Sequence, residues 1–476
     1  LLFGFVHTLT LAIGTTLIGI CVDYPIHALA HGQQSDKNQR VKHIAKIWPS
    51  MLLGGATTLI GYFALGFSGY PGFEQVAVYA GTGIAVALFL TRFVLPELIR
   101  NDKPALRIQP ALAWLNLAQR QRGFLWPVLA VALVLSVLAL PSLQWLKDLQ
   151  QLTPEMNALK TADARIRSRL VSVEPGRFVL VSGETSEQTL QRLEQIYPLL
   201  DKLQAQGQLK AYFGLSPWLL SQQQQRDNAT QLHSRLTAEN RQRWQHSLTA
   251  HGLSVAELGQ LNYVEKQMLT PEHVMKTPIG HWLDSQWLPQ GSQTLALVWL
   301  ADHDAVALQK TFTNHPFAHY ISQRDLLNDM AVTYQSKAQT LLLLGLLLML
   351  ALLTWRYKNL WQALETLAPA VLAAIFVLAG CAVAGVAVSF LHLVGLLLIV
   401  SIGVDYGIFY QENRGGHLQT TYQAMTASML TSSVAFGCLF LADTTILQIL
   451  AQVVTSGVIL SFLLCPLLIN KTGQSA

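Results

Sequence analysis

The stretch Leu396–Tyr410, LLLIVSIGVDYGIFY, decides how this chain is read. It is apolar enough to lie in a bilayer, yet it carries Asp405 beside Tyr406. A second stretch, Ile13–Ala30, IGTTLIGICVDYPIHALA, repeats the arrangement with Asp23 beside Tyr24. An ionised carboxylate at the centre of a membrane helix costs about 2.5–3.5 kcal/mol on insertion scales. Meeting that cost twice, in matching contexts far apart in the chain, argues for a duplicated machine with a titratable site in each half. A buried acid that merely pins helices together is the plainer alternative, and the duplication weighs against it.

The surrounding sequence is membrane-like. Charged residues make up 12% and hydrophobic residues 51%, where a soluble globular chain carries about 25% charged. The net charge of +5 is small for 476 residues, and the basic residues fall in short loops, which argues against nucleic-acid binding. Cys21, Cys381, Cys438 and Cys465 all lie in apolar segments and read as packing residues rather than a disulfide framework.

Nine apolar segments approach the length of about 20 residues that spans a bilayer core: 3–30, 48–68, 73–99, 124–141, 337–355, 364–388, 390–411, 425–441 and 446–469. Lys and Arg cluster in alternate connections, at Lys37–Lys46, Arg100–Arg122, Arg356, Lys358, Arg414 and Lys471. The connections between them, GYPG at 69–72, the turn near 389 and ADTT at 442–445, hold none. The positive-inside rule places the basic connections in the cytoplasm and the long 142–336 segment on the opposite side.

That segment is polar and alternates strand with helix. RFVLVSG (177–183) reads as a strand, Glu187–Gln206 as a helix, and LKAYFG contains a short strand. TLALVWLAD followed by AVALQKTF repeats strand then helix, while 217–275 has helical spacing only. The order predicts a compact α/β domain with a helical insertion.

The apolar parts repeat at larger scale. Residues 1–99 and 389–469 each present a helix with the Asp-Tyr pair, a basic loop and two more helices. Ser50-Met51-Leu52 parallels Ser428-Met429-Leu430, and Pro96 in FVLPELI parallels Pro466 in LLCPLLI. Repeats of this kind point to a transporter with its site at the repeat interface. The chain opens inside an apolar stretch, LLFGFVHTLTLAIG, without the features of a signal peptide. By symmetry, about three helices and one external domain are expected ahead of Leu1.

With Gly403-Val404-Asp405-Tyr406 on the fourth helix of its half, a large external domain and five helices after it, the chain resembles the resistance-nodulation-division (RND) superfamily. Within that superfamily it is most similar to the mycobacterial-membrane-protein-large (MMPL) type of predicted exporter. The first half departs from the motif, with Cys21 in place of the glycine and Pro25 after the tyrosine. No Lys occupies the helix around Asp405, unlike the drug-efflux branch. The resemblance implies a polytopic α-helical protein of the bacterial inner membrane with a two-fold pseudo-repeat. It also implies a ferredoxin-like, porter-type extracytoplasmic domain. The implied activity is proton-driven export of a hydrophobic or lipid-like molecule, with membrane lipids, a periplasmic carrier or a second copy as partners, and no cofactor. Related architectures serve as accessory motors for protein translocation or as lipid- and sterol-sensing modules, and these stand as alternatives.

The residues make chemical sense of that implication. An acid beside a tyrosine hydroxyl has a hydrogen-bond donor and a relay partner at hand, so Asp23, Tyr24, Asp405 and Tyr406 form the expected proton relay. Thr57, Thr58, Ser432 and Ser433 lie on equivalent helices and are expected as supporting polar residues, although small polar residues also serve helix packing. His27, four residues beyond Asp23, can share its helix face, with a solvated place near the cytoplasmic end as the plainer reading. His315 and His319 have metal-compatible spacing only in a helix, which Pro316 breaks, and Asp302-His303-Asp304 reads as a loop, so no metal is expected. The chain holds no G-x-S-x-G, H-E-x-x-H or phosphate-loop pattern and reads as neither an enzyme nor an ATP-driven pump.

The expected divisions are 1–99, the last three transmembrane helices of the first repeat, and 100–123, a cytoplasmic linker, amphipathic or plain. A helix follows at 124–141, then the extracytoplasmic domain at 142–336, five helices at 337–470 and a cytoplasmic tail at 471–476. In a variant freed of its four cysteines, Lys42→Cys and Lys358→Cys should react with an impermeant thiol reagent from one side of the membrane. Asp443→Cys should react only from the other; labelling of all three from one side would overturn the topology.

Overall fold

The computed structural model describes residues 4–32, 37–98, 108–146, 157–167, 174, 176–216, 218–258, 267–291, 293–414 and 418–469. The tail at 471–476 and the linker residues 100–107 lie outside them. Two compact units are present, Leu1–Glu155 with Asn328–Ala476, and Met156–Leu327.

The first unit opens with α1 (Thr8–Gly32), α2 (Lys37–Gly66) and α3 (Pro71–Phe93). Gly69 turns the chain between α2 and α3 at φ +76°, a conformation a side chain resists, and Pro71 starts α3 where its missing N–H is not needed. Next come α4 (Gln109–Arg120) and α5 (Arg122–Ala139). From Gln109 to Arg120 the linker is helical: α4 buries Ala111, Leu115 and Ala118, three positions on one face, and lays them on the helices that close this unit.

The second unit holds β1 (Arg177–Gly183), α6 (Ser186–Ala205), β2 (Tyr212–Phe213), β3 (Trp287–Gln290), β4 (Gln293–Leu300), α7 (Ala305–Phe312) and β5 (Ala318–Ser322). The sheet is antiparallel in the order β2-β4-β1-β5, with β3 also paired to β4. Alternate residues of β1, Val179 and Val181, point into the core beneath Leu190, Leu193 and Ile196 of α6. Thr185 caps α6 by accepting from the Gln188 amide, and Asp304 caps α7 by accepting from the amides of Val306 and Ala307. The insertion contains helices at Gln222–Arg235, Ala238–Ala250, Val255–Leu258 and Pro271–Met275. The sequence reading missed β3 and β5, whose WLPQ and AHYIS carry a proline or a histidine inside a short run.

The chain continues with α8 (Gln323–Tyr357), α9 (Leu360–Val383), α10 (Phe390–Glu412), α11 (Leu418–Gly437) and α12 (Thr445–Leu468). The boundary expected at 336 falls inside α8, one uninterrupted 35-residue helix whose polar first part runs into the apolar 337–355 segment. Eight described helices are long and apolar enough to cross a membrane. The expected span at 48–68 is not one of them by composition. It is the later part of the 30-residue α2, where Pro49, Ser50, Thr57, Thr58 and four glycines dilute the apolar residues. Those polar residues are turned inward: Ser50, Thr57 and Thr58 are all buried.

The centre of the bundle is α10, buried at every position from Leu391 to Gln411. A helix apolar on all sides belongs in such a place. Around it pack α2, α9 and α12, while α1 packs on α11 and α3, and α11 packs on α12. Gly403 and Gly407 permit the closeness. A Cβ at Gly403 would press on Ser461 Oγ and lie 2.9 Å from Ala370, and one at Gly407 would collide with the Thr366 carbonyl. Leu193→Ala, by contrast, removes apolar volume from the other unit's core, at about 2–5 kcal/mol for such a truncation. Hydrogen exchange of the β1 amides should report that loss while amides of α10 keep wild-type protection.

Candidate functional site

Asp405 comes to the site on α10, at its interface with α2. Its carboxylate is 6% exposed and lies against the α2 backbone at Gly54, where a Cβ would sit 3.2 Å from Oδ1. Oδ1 accepts from the Thr57 hydroxyl at 3.0 Å and Oδ2 from the Thr58 hydroxyl at 2.9 Å. Thr57 Oγ1 also lies 2.8 Å from the Gly54 carbonyl. A hydroxyl has one proton and two acceptor sites. Thr57 can therefore donate to an ionised Asp405, or turn its proton to Gly54 O and accept from a protonated one. The same shell serves both charge states.

Asp23 occupies the corresponding place between α1 and α11 with a thinner shell. It too is 6% exposed. Oδ2 meets the Ser432 hydroxyl at 3.5 Å, the outer limit of a hydrogen bond, and Oδ1 is buried with no partner. Ser428 and Thr431 lie near the same carboxylate, and the Ser428 hydroxyl is itself buried and unpartnered. The register that pairs Ser50-Met51-Leu52 with Ser428-Met429-Leu430 explains the difference. It places Ala435 and Phe436 where Thr57 and Thr58 stand, so two donors are missing.

Both tyrosines are buried in the bundle. Tyr24 and Tyr406 are each 1% exposed, with buried hydroxyls that have no hydrogen-bond partner. Tyr24 reaches α2, where a Cβ on Gly55 would lie 3.5 Å from its hydroxyl. Among the described residues neither acid forms an ion pair.

Other expected residues fall elsewhere. Ser433 turns along its own helix to Met429 Sδ, 3.6 Å away, and does not reach Asp23. His27 is buried, not solvated: its ring stacks on Phe409 at 3.7 Å and 12°, and Nε2 has no partner. His303 contacts the Tyr320 hydroxyl at 2.9 Å, His319 lies on β5, and His315 packs edge-on against Phe317. Among the described residues no three metal-ligating side chains cluster. Sequence reasoning missed Ser428, and also Glu412, which accepts from the Ser50 hydroxyl and pairs with Arg356 at 3.0 Å. The repeated Ser-Met-Leu triplet, read there only for alignment, was the available signal for both serines.

Solved structures resemble the chain at low sequence identity. Two crystal structures of SecDF resemble the chain. One is in a super-membrane-facing form, with 13% identity and a TM-score of 0.47, covering 97% of this chain and 54% of that one. The other, described as a translocon-associated membrane protein from Thermus thermophilus, has 12% identity and a TM-score of 0.47, covering 94% and 52%. The chain thus spans about half the length of these structures. No family model and no curated protein matches it.

Replacing both Thr57 and Thr58 by Val would leave a buried carboxylate without donors, at about 1–3 kcal/mol for each lost partner. The double variant should melt at lower temperature than wild type, and adding Asp405→Leu should recover part of the loss. An additive effect of the third substitution would show that the hydroxyls and the acid do not act together.

Proposed function

We propose that the chain is a proton-coupled transport protein of RND type, in which Asp405 and Asp23 bind and release protons within the bundle. One observation carries this reading: Asp405 is enclosed on the central helix, free of any ion pair among the described residues, and held by hydroxyls that suit either charge state. An acid meant only to lock helices together has no use for a partner that can reverse its hydrogen bond. Proton arrival removes a charge from the α2–α10 interface, and release restores it. Each charge moved across the membrane is worth about 2.3 kcal/mol per 100 mV, enough to shift the balance between two packings of a bundle.

The crossed pairing, α1 with α11 and α2 with α10, supports a two-fold pseudo-repeat with one acid in each half. The strand order β2-β4-β1-β5, with α6 following β1 and α7 following β4, supports a ferredoxin-like reading of the smaller unit. The cargo we infer is hydrophobic or lipid-like, exported from the bacterial inner membrane in the manner of MMPL proteins, with a periplasmic carrier or a second copy as partner.

The test is proton movement in proteoliposomes of the full-length protein, loaded with a lipid extract and read with a pH-sensitive dye. Asp405→Asn should abolish substrate-dependent flux while circular dichroism and melting stay near wild type. Wild-type flux in that variant would remove Asp405 from the mechanism. Lipid binding without proton dependence in the wild-type protein would favour a sensing module instead.

A further inference from the structure

The later part of α1, the ends of α8 and α10 and the early parts of α2 and α9 surround a cavity of about 510 Å3 that the proton site does not use. Its walls carry Lys46, Arg356, Arg414 and two histidines with one acid, Glu412, while Glu365 outside the walls faces the charge of Arg414. Glu412 is already engaged, by Arg356 and by the Ser50 hydroxyl. The Tyr357 hydroxyl, also at the cavity, is buried and donates to nothing. Cations at helix C-termini compensate the helix dipole, which accounts for Arg356 at the end of α8 and for Arg414 just past α10. It does not account for Lys46, ten residues into α2 counting from Lys37, which makes no ion pair among the described residues.

The depth of the cavity is set by sequence. Arg356 directly follows the apolar run of α8, so it stands where hydrocarbon gives way to headgroups, on the side that carries the basic connections. Basic pockets between helices on that side suit anionic headgroups, and a guanidinium fork matches a phosphate.

We infer that this cavity is a binding site for an anionic phosphate group, presented by an acidic phospholipid headgroup or by a free phosphate. The site lies on α2 and α10, the two helices that enclose Asp405. Glu412 is seven residues beyond Asp405, two helical turns or about 10.5 Å along the axis. A bound headgroup therefore bridges α2 and α10 two turns away from the proton site.

The inference does not rest on proton coupling and is tested without it. Delipidated full-length protein in neutral detergent is titrated with short-chain phosphatidylglycerol, with phosphatidylcholine of the same chain length, and with inorganic phosphate, read by native mass spectrometry. Phosphatidylglycerol should bind at least tenfold more tightly than phosphatidylcholine, a margin of about two basic contacts. Lys46→Gln and Arg414→Gln should each weaken it about fivefold, and Asp405→Asn should leave it unchanged. Competition by inorganic phosphate would show that the phosphate alone is recognised; lack of competition would assign the site to the lipid. Equal binding of the two lipids, no binding of either lipid or of inorganic phosphate, or wild-type binding by both charge variants would overturn the assignment.

Discussion

A carboxylate enclosed among helices has to find its hydrogen-bond donors inside the protein, because an unpaired buried charge is among the most destabilising features a fold can carry. The bundle answers that requirement across helix interfaces. Asp405 on α10 takes its donors from α2, and Asp23 on α1 faces the serines of α11. A helix carrying such an acid has to lie beside the helix that carries its hydroxyls. This one demand ties the first three helices to the last three and makes their pairing crosswise.

The same demand governs the small residues. Donors as short as Thr and Ser reach a facing carboxylate only if the backbones approach closely. Gly54 lets Asp405 lie against α2, and Gly19 lets α1 close on α11, where a Cβ would come within 2.6 Å of Ala435. Gly403 and Gly407 bring α9 and α12 onto the other side of α10. The glycine of the G-x-D-Y motif is thus a packing residue that keeps the central helix enclosed. In the first half Cys21 stands in that place, and it borders an apolar groove between α1 and α3.

Where a segment's role rests on its own residues, the sequence was legible. The Asp-Tyr pairs stood out against their apolar runs, and β1, α6 and α7 followed from alternation and periodicity. Thr57 and Thr58 were readable as polar residues on the helix matching that of Ser432. What escaped depended on tertiary context. The α2 span looked like an ordinary transmembrane segment, yet its polar residues are tolerable only because α10 covers them. β3 and β5 are short strands that exist by pairing with β4 and β1. Ser433 and Ser432 are neighbours in sequence, and only the helix's rotation decides which meets Asp23. His27 lies near the end of its segment, where solvent is the natural expectation, and Phe409 of another helix removes it.

Two acids in matching places on matching helices are not matching sites. The carboxylate of Asp405 has a donor for each oxygen, and one of those donors can reverse its bond at once by turning to Gly54 O. Asp23 has one distant donor and an oxygen with none, because Ala435 and Phe436 stand where the threonines would be. The shell of Asp405 is therefore complete for an ionised carboxylate. Ser428 and Thr431 of α11 lie close to Asp23, within reach of a side-chain rotation. The departures of the first motif, Cys21 for glycine and Pro25 after the tyrosine, fall on the helix with the incomplete shell. The motif and the shell therefore diverge together: the second half keeps an acid with a donor for each oxygen, and the first keeps one with a single distant donor.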